Sequence, residues 1–181
     1  MVHRSAAGGK KRIWWAMAAS LAILAVAAWW LLQKPKGNNV LSVETLADTY
    51  IKGDAMPIWS TTMDNSTVTL REAQAKEAYQ KNDFSKTIEL FEGLPPTTKE
   101  HFFYLGIAAL KQEKPDAQKA INSLLKTRAL AQGWQEDATN WYLALAYLQL
   151  GKKTEARAEL TNIVQIGRDN AVRAADLLKK L

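Results

Sequence analysis

The chain has 181 residues, 48% of them hydrophobic, which is enough for one domain with a hydrophobic core plus terminal segments. It has no cysteine and only two histidines, so disulfides, thiolate metal ligands, a cysteine nucleophile and a histidine pair at metal-ligand spacing are excluded. The formal net charge of +6 comes from residues 1–36, which hold six basic residues and no acidic one, so the neutral remainder is not expected to bind nucleic acid.

An apolar segment, residues 13–32, predicts one transmembrane helix. Its twenty residues carry no charge, and at about 1.5 Å per residue they span a hydrocarbon layer of about 30 Å. A membrane belt of tryptophans, at the headgroup level of each end, consists of Trp14, Trp15, Trp29 and Trp30. Four basic residues precede the span and two follow it, so we expect residues 1–12 to be a basic cytoplasmic segment and the domain to lie outside the cytoplasm.

Cleavage as a signal peptide is the alternative for this segment. Residues 25–27, Ala-Val-Ala, have the small-x-small form that a signal peptidase accepts. The apolar run continues through residues 29–32, where a signal peptide would become polar, and this favours an uncleaved anchor.

Residues 33–69 are expected to form a tether, a short helix and an apolar strap. Proline and glycine within residues 34–39 favour a flexible tether. The helix is predicted with Ser42 as its N-cap and Gly53 after its last turn. Its apolar stripe, at helical spacing, is Val43, Leu46, Ala47, Tyr50 and Ile51. Residues 56–59 form the strap in a loop rich in serine, threonine and asparagine.

Three helical hairpins are predicted over residues 71–168, because apolar residues recur at helical spacing on both sides of three turns. The third hairpin, which turns at Gly151, has Leu143, Ala144, Tyr147, Ala156, Leu160 and Ile163. The second, with a turn over residues 112–116, has Leu105, Gly106, Ala109, Ala120 and Leu124. The first, with its turn at residues 82–83, has Ala75, Ala78, Phe84 and Phe91.

This pattern of large and small apolar residues resembles the tetratricopeptide repeat (TPR) family. The hairpins start 31 and 38 residues apart, against about 34 in the regular repeat. Thr87 and Gln74 depart from the family pattern, and its closing proline is missing. The resemblance implies an all-α fold, a short α-solenoid of about three hairpins, that serves as a binding scaffold.

The ends of the repeats are also marked in the sequence. Prolines 95 and 96 cannot continue a helix, and Thr97 with Glu100 offers a capping box for the next one. Residues 169–181 predict a capping helix that begins after Asp169 and covers the apolar face of the last hairpin. Its predicted stripe is Ala171, Ala174, Ala175 and Leu178.

In the TPR family the first helix of each hairpin lines the concave face, so the resemblance assigns a protein-binding groove to this chain. The apolar groove residues are Tyr79, Phe103, Ile107, Leu110, Trp141, Leu145 and Leu148, and Lys111 and Gln149 occupy further positions on the same face. This lining implies a helical or extended apolar segment of another protein as the ligand, with Trp141 and Phe103 as anchors.

Two other interpretations of the groove stay open. The helix of residues 42–52, or the strap of residues 57–59, can fill it from within, since an empty apolar lining would expose a costly patch. Trp141 can also belong simply to the core between neighbouring hairpins.

The sequence favours a binding protein over an enzyme. It has no glycine-rich phosphate loop and no Gly-x-Ser-x-Gly elbow, and no catalytic, cofactor-binding or metal residue is assigned. We expect a single-pass adaptor in a bacterial envelope, with its repeats facing the periplasm, in a complex such as export or envelope assembly. The alternative is a self-associating structural or signal-relay component, a homo-oligomer whose spans pack through Ala18, Ala22 and Ala25.

Overall fold

The computed structural model describes residues 42–55, 57, 70–95 and 98–181. The predicted span with its belt of Trp14, Trp15, Trp29 and Trp30, the tether and most of the strap lie outside the described residues. The described part contains eight α-helices and no strand, an all-α arrangement consistent with an α-helical solenoid. No helix within it is both long enough and apolar enough to cross a membrane.

The eight helices follow one another with short connections, except between the first and the second. They are α1 (Val43–Gly53), α2 (Leu70–Gln80), α3 (Phe84–Glu92), α4 (Lys99–Lys111), α5 (Ala117–Leu130), α6 (Glu136–Gln149), α7 (Lys153–Ile166) and α8 (Ala171–Lys180). Helices α2 to α7 form three consecutive hairpins, as predicted, and each hairpin packs on the next. Helix α8 packs on α7, whereas α1 packs on α6 and, over a smaller area, on α4.

Side-chain caps fix where several helices begin. The Ser42 hydroxyl accepts a hydrogen bond from Thr45 N at 3.2 Å, which confirms the predicted cap of α1. The cap of α4 is Thr98, whose hydroxyl accepts from His101 N at 3.1 Å. The predicted box with Thr97 was therefore wrong by one residue, because the helix begins at Lys99.

Two glycines are required where the hairpins turn or approach closely. Gly151 has a φ of 68°, and the amide of Lys152 donates to Tyr147 O while the amide of Gly151 donates to Leu148 O, each at 2.9 Å. These two bonds form a Schellman motif, which ends α6 and redirects the chain into α7. At Gly106 a Cβ would lie 2.8 Å from Leu124 Cγ, so glycine allows α4 and α5 to pack closely.

One hydrophobic core runs through the hairpins and includes α1 and α8. Aromatic rings join neighbouring hairpins: Tyr79 of α2 meets Tyr104 of α4 with ring centroids 5.0 Å apart. The ring of Phe91 lies 4.7 Å from that of His101, which bridges α3 and α4. The core therefore continues across the junctions between hairpins.

Helix α8 closes the carboxyl end with the predicted face toward the core. Ala174 is buried, and the other predicted residues, Ala171, Ala175 and Leu178, are partly buried, while Leu177, which was not predicted, is buried as well. The expected cap by Asp169 was wrong: Asn170 precedes the helix, and its backbone N–H donates to Asp137 Oδ2 of α6 at 3.1 Å. A contact with α6, and not a local cap, therefore fixes the start of α8.

Candidate protein-binding groove

The predicted groove residues all lie inside the protein. Each is at most 1% exposed: Tyr79, Phe103, Ile107, Leu110, Trp141, Leu145 and Leu148. These side chains therefore form the floor of the face made by the first helices of the hairpins, and none of them is an open contact surface in this state.

Tyr79 and Phe103 pack between hairpins. The Tyr79 ring lies 5.0 Å from Tyr104 and 6.1 Å from Phe84, and its burial raises the pKa of its phenol. The Phe103 ring lies 5.3 Å from Trp134, edge to face. Both residues stabilise the junctions that hold the first helices side by side.

Helix α1 lies over the first helices α4 and α6. Its predicted apolar face is the face that it buries: Leu46, Ala47 and Ile51 are buried, while Val43 and Tyr50 are partly buried against the core. The rings of Tyr50 and Trp141 meet edge to face with centroids 5.7 Å apart. The helix that precedes the repeats therefore fills their groove from within, which is one of the alternatives that the sequence left open.

The carboxylate of Asp54, directly after α1, is held by two side chains of the scaffold. Trp141 Nε1 donates to Asp54 Oδ2 at 2.8 Å, and Arg173 of α8 forms an ion pair with Asp54 Oδ1 at 2.9 Å. The guanidinium carbon of Arg173 also lies 4.3 Å from the centre of the Trp141 ring. The Asp54 side chain is only 7% exposed, whereas the Arg173 side chain is 38% exposed, so the carboxylate is shielded from water on the side of Trp141 and the guanidinium is partly solvated.

Lys111 of α4 binds the main chain at the carboxyl end of α1. Its Nζ donates to Ile51 O at 3.0 Å and to Asp54 O at 2.7 Å. The last carbonyls of a helix lack partners within the helix and carry partial negative charge, so a lysine stabilises them. Burial lowers the pKa of Lys111, an effect that Asp54 opposes and Arg173 reinforces.

Three further contacts hold α1 and the residues that follow it. The Gln149 amide donates to the Asp48 carboxylate. Lys180 Nζ donates to the Tyr50 hydroxyl at 2.9 Å, and Tyr142 Oη donates to Ala55 O at 3.5 Å. Contacts to α1 therefore come from α4, α6 and α8.

The sequence interpretation placed some of these residues and missed others. Lys111, Trp141 and Gln149 were assigned to the groove face by their helical positions, and each contacts α1 or the residue that follows it. Asp54 and Arg173 were not assigned. Asp54 lies three residues after Ile51, and this spacing could have placed it on the same face as the stripe of α1. Nothing in the sequence indicates that it pairs with Arg173.

The site consists of packed apolar side chains and of polar side chains that are hydrogen-bonded or ion-paired. Within the described ranges, no cluster of three histidine, aspartate or glutamate side chains is placed to hold a metal ion. The site instead joins an apolar floor to three polar side chains at one end, which is suited to the recognition of a helix and of the residue that follows it.

Comparisons with known proteins do not identify a family. No protein-family model matches the chain, and neither the curated proteins nor the solved structures contain a match.

Proposed function

We propose that this protein is a membrane-anchored, TPR-like adaptor that binds a helical segment of another protein on the face of α4 and α6. The observation that carries the proposal is α1 itself. This face accommodates an amphipathic helix of eleven residues from the same chain, which supports its use as a site for a helix of another protein.

Occupancy by α1 sets a requirement on the partner. The chain between α1 and α2 tethers α1 to its groove, and such tethers give effective concentrations of roughly millimolar. A partner helix must therefore bind more tightly than α1 does, or it must act when α1 is released. The adaptor is accordingly expected to respond to a partner of high affinity and to ignore weak helical peptides.

The proposed location is a bacterial inner membrane, with residues 1–12 in the cytoplasm and the repeats facing the periplasm. The tryptophan belt and the excess of basic residues before the span support this topology. Export and envelope assembly are the processes that we propose for it. A reporter that is active only outside the cytoplasm, fused after Leu181, is expected to be active. An inactive fusion would indicate the opposite orientation in the membrane.

Photo-crosslinking in cells tests the groove directly. Gln149 is the best position for a photoreactive residue, because it lies at the rim and contacts α1, whereas Trp141 is buried in the core. The matched control position is Arg157, an exposed residue of α7. We expect an adduct with another protein from position 149 and none from position 157.

Two results of this experiment would count against the adaptor. Crosslinks from position 149 only to α1 of the same chain would show that the groove is permanently closed. Crosslinks to a second copy of this chain would support the self-associating component instead.

A further inference from the structure

We propose that the partner helix carries an acidic residue three positions after its last apolar anchor, and that this residue replaces Asp54 between Trp141 and Arg173. The inference rests on the proposed function, since it defines the partner that the groove accepts. Helix α1 occupies the groove, so the contacts of α1 indicate which chemical groups a partner must offer there.

The first part of the recognition pattern is the apolar stripe of α1. The helix presents side chains at positions i, i+3, i+4, i+7 and i+8 to the groove, namely Val43, Leu46, Ala47, Tyr50 and Ile51. This spacing places all five on one side of a helix of three turns. Any partner that replaces α1 must offer the same stripe to cover the same apolar floor.

The second part is the acidic residue at position i+11. The two groups that hold the Asp54 carboxylate, the Trp141 indole and the Arg173 guanidinium, belong to α6 and α8 and remain when α1 leaves. Trp141 is 1% exposed, and a buried indole N–H without an acceptor is unfavourable. A partner with an apolar residue at this position would leave the indole N–H without an acceptor, and one with an amide would lose the ion pair with Arg173, so each would bind less well than one with a carboxylate.

The third part is the direction of the partner helix. Lys111 binds main-chain carbonyls at the end of α1, and every helix presents such carbonyls at its carboxyl end. A partner is therefore expected to run in the same direction as α1, with its carboxyl end at Lys111. Lys111 thus recognises a helix end without regard to side chains, while Trp141 and Arg173 recognise the acid that follows.

The carboxylate should come from an acidic side chain within the partner chain. After Asp54 the main chain continues past the site, and Ala55 O accepts a hydrogen bond from Tyr142 Oη at 3.5 Å. The site therefore has room for a continuing chain and recognises a carboxylate at its side.

Peptide binding to the full-length protein in mild detergent tests the inference. Two labelled peptides cover residues 42–57, one with aspartate at position 54 and one with asparagine. Two variants loosen the tethered helix without changing the groove: Asp54→Asn and Leu46→Ala, both in the segment that leaves. We expect the aspartate peptide to bind the Asp54→Asn protein about fivefold more tightly than the asparagine peptide does, as for a hydrogen-bonded ion pair that water partly screens.

A variant of the scaffold identifies the source of that preference. In the Asp54→Asn protein, the additional change Arg173→Gln should reduce the preference between the two peptides to about twofold, because the charged partner is gone. The NMR resonance of the Trp141 indole N–H, assigned by comparison with Trp141→Phe, gives a second measurement in a protein that retains Arg173. It should shift in the Asp54→Asn protein and return when the aspartate peptide, but not the asparagine peptide, is added.

The outcomes separate the inference from the proposed function. If both peptides bind a loosened variant equally well, or if the Trp141 resonance does not distinguish them, the acidic position is wrong while the groove still binds helices. If neither peptide binds either loosened variant, even at concentrations above the roughly millimolar effective concentration of the tethered helix, the groove does not accept a helix in trans, and the proposed function fails with the inference.

Discussion

Trp141 Nε1 donates a hydrogen bond of 2.8 Å to the carboxylate of Asp54, which lies 87 residues earlier in the chain. The indole is fully buried apart from 1% of its surface, and the carboxylate is 7% exposed. This bond, with the ion pair to Arg173, joins the segment before the repeats to both the third hairpin and the closing helix.

Removal of the Asp54 carboxylate is expected to destabilise the protein. Asp54→Ala leaves the buried indole N–H without its acceptor, so we expect the free energy of unfolding to fall by about 2 kcal/mol. Asp54→Asn keeps an acceptor and should cost about 1 kcal/mol, since Arg173 is 38% exposed and water screens its charge. Urea unfolding followed by circular dichroism measures both changes.

The control for Asp54 is Asp176→Asn. Asp176 is 57% exposed and pairs only across an exposed turn with Lys179, so the change should stay within about 0.5 kcal/mol. Equal effects at positions 54 and 176 would mean that the Asp54 contacts do not contribute to folding.

Loss of the Lys111 ammonium is expected to loosen the carboxyl end of α1. Lys111→Met keeps most of the buried stem but removes the donor to Ile51 O and Asp54 O. Amide hydrogen exchange in residues 43–55 should become about thirtyfold faster, in line with about 1 kcal/mol for each of the two lost hydrogen bonds. Lys114→Met, at an exposed position after α4, should leave exchange unchanged. Uniformly faster exchange across α4 and α5 would instead indicate general destabilisation.

A methyl group at Gly106 is expected to separate α4 from α5. Gly106→Ala places Cβ 2.8 Å from Leu124 Cγ and 3.3 Å from Ala120 O, so the two helices must shift, at a cost of about 1–3 kcal/mol. Gly53→Ala is the matched control, because among the described residues no atom beyond its chain neighbours and its own helix backbone lies within 4 Å of its Cβ. Alanine favours helix there and should stabilise the protein by up to about 1 kcal/mol. Thermal unfolding of the two variants should shift in opposite directions.

His101 is expected to make stability depend on pH in the weakly acidic range. Burial lowers the pKa of His101 below its usual 6.5, and Glu72 partly opposes this effect. The unfolded chain therefore takes up the proton at a higher pH than the folded protein does. Stability should fall as the pH decreases from about 6.5 toward the lowered pKa of the folded state, and it should be restored above about 6.5.

The variant His101→Phe tests this dependence. His101 packs between Phe91, at 4.7 Å, and Phe102, at 5.4 Å, so a phenylalanine ring suits its surroundings. The loss of stability between about pH 7.5 and about pH 5.5 should be smaller in the variant, because no group at position 101 titrates there. An identical pH profile for both proteins would assign the dependence to carboxylates elsewhere.

The features that the sequence predicted are those set by neighbouring residues. The turn at Gly151 and the cap at Ser42 depend on a few consecutive residues, and the hairpins depend on apolar spacing over one or two helices. The cap of α4 was displaced from Thr97 to Thr98, because both are threonines and only the packed helix selects between them.

The position of α1 required information that a local pattern does not contain. Its stripe predicted a helix with one buried face. The apolar pattern of the groove, however, does not indicate whether that groove is filled by a helix of the same chain or by one of another protein. The internal position is fixed by pairs such as Asp54 with Arg173 and Tyr50 with Lys180. Residues so far apart in the chain give no periodic signal that would join them.

The contacts of Asp54 also impose an order on folding during synthesis. Helix α1 is made before any of its docking surface, and Trp141 follows Asp54 by 87 residues, roughly ten seconds of translation. Arg173 and Lys180 come later still, in the last helix. Until α6 and α8 have been made, α1 lacks most of the surface that buries its apolar face, so its final docking requires the carboxyl-terminal helix.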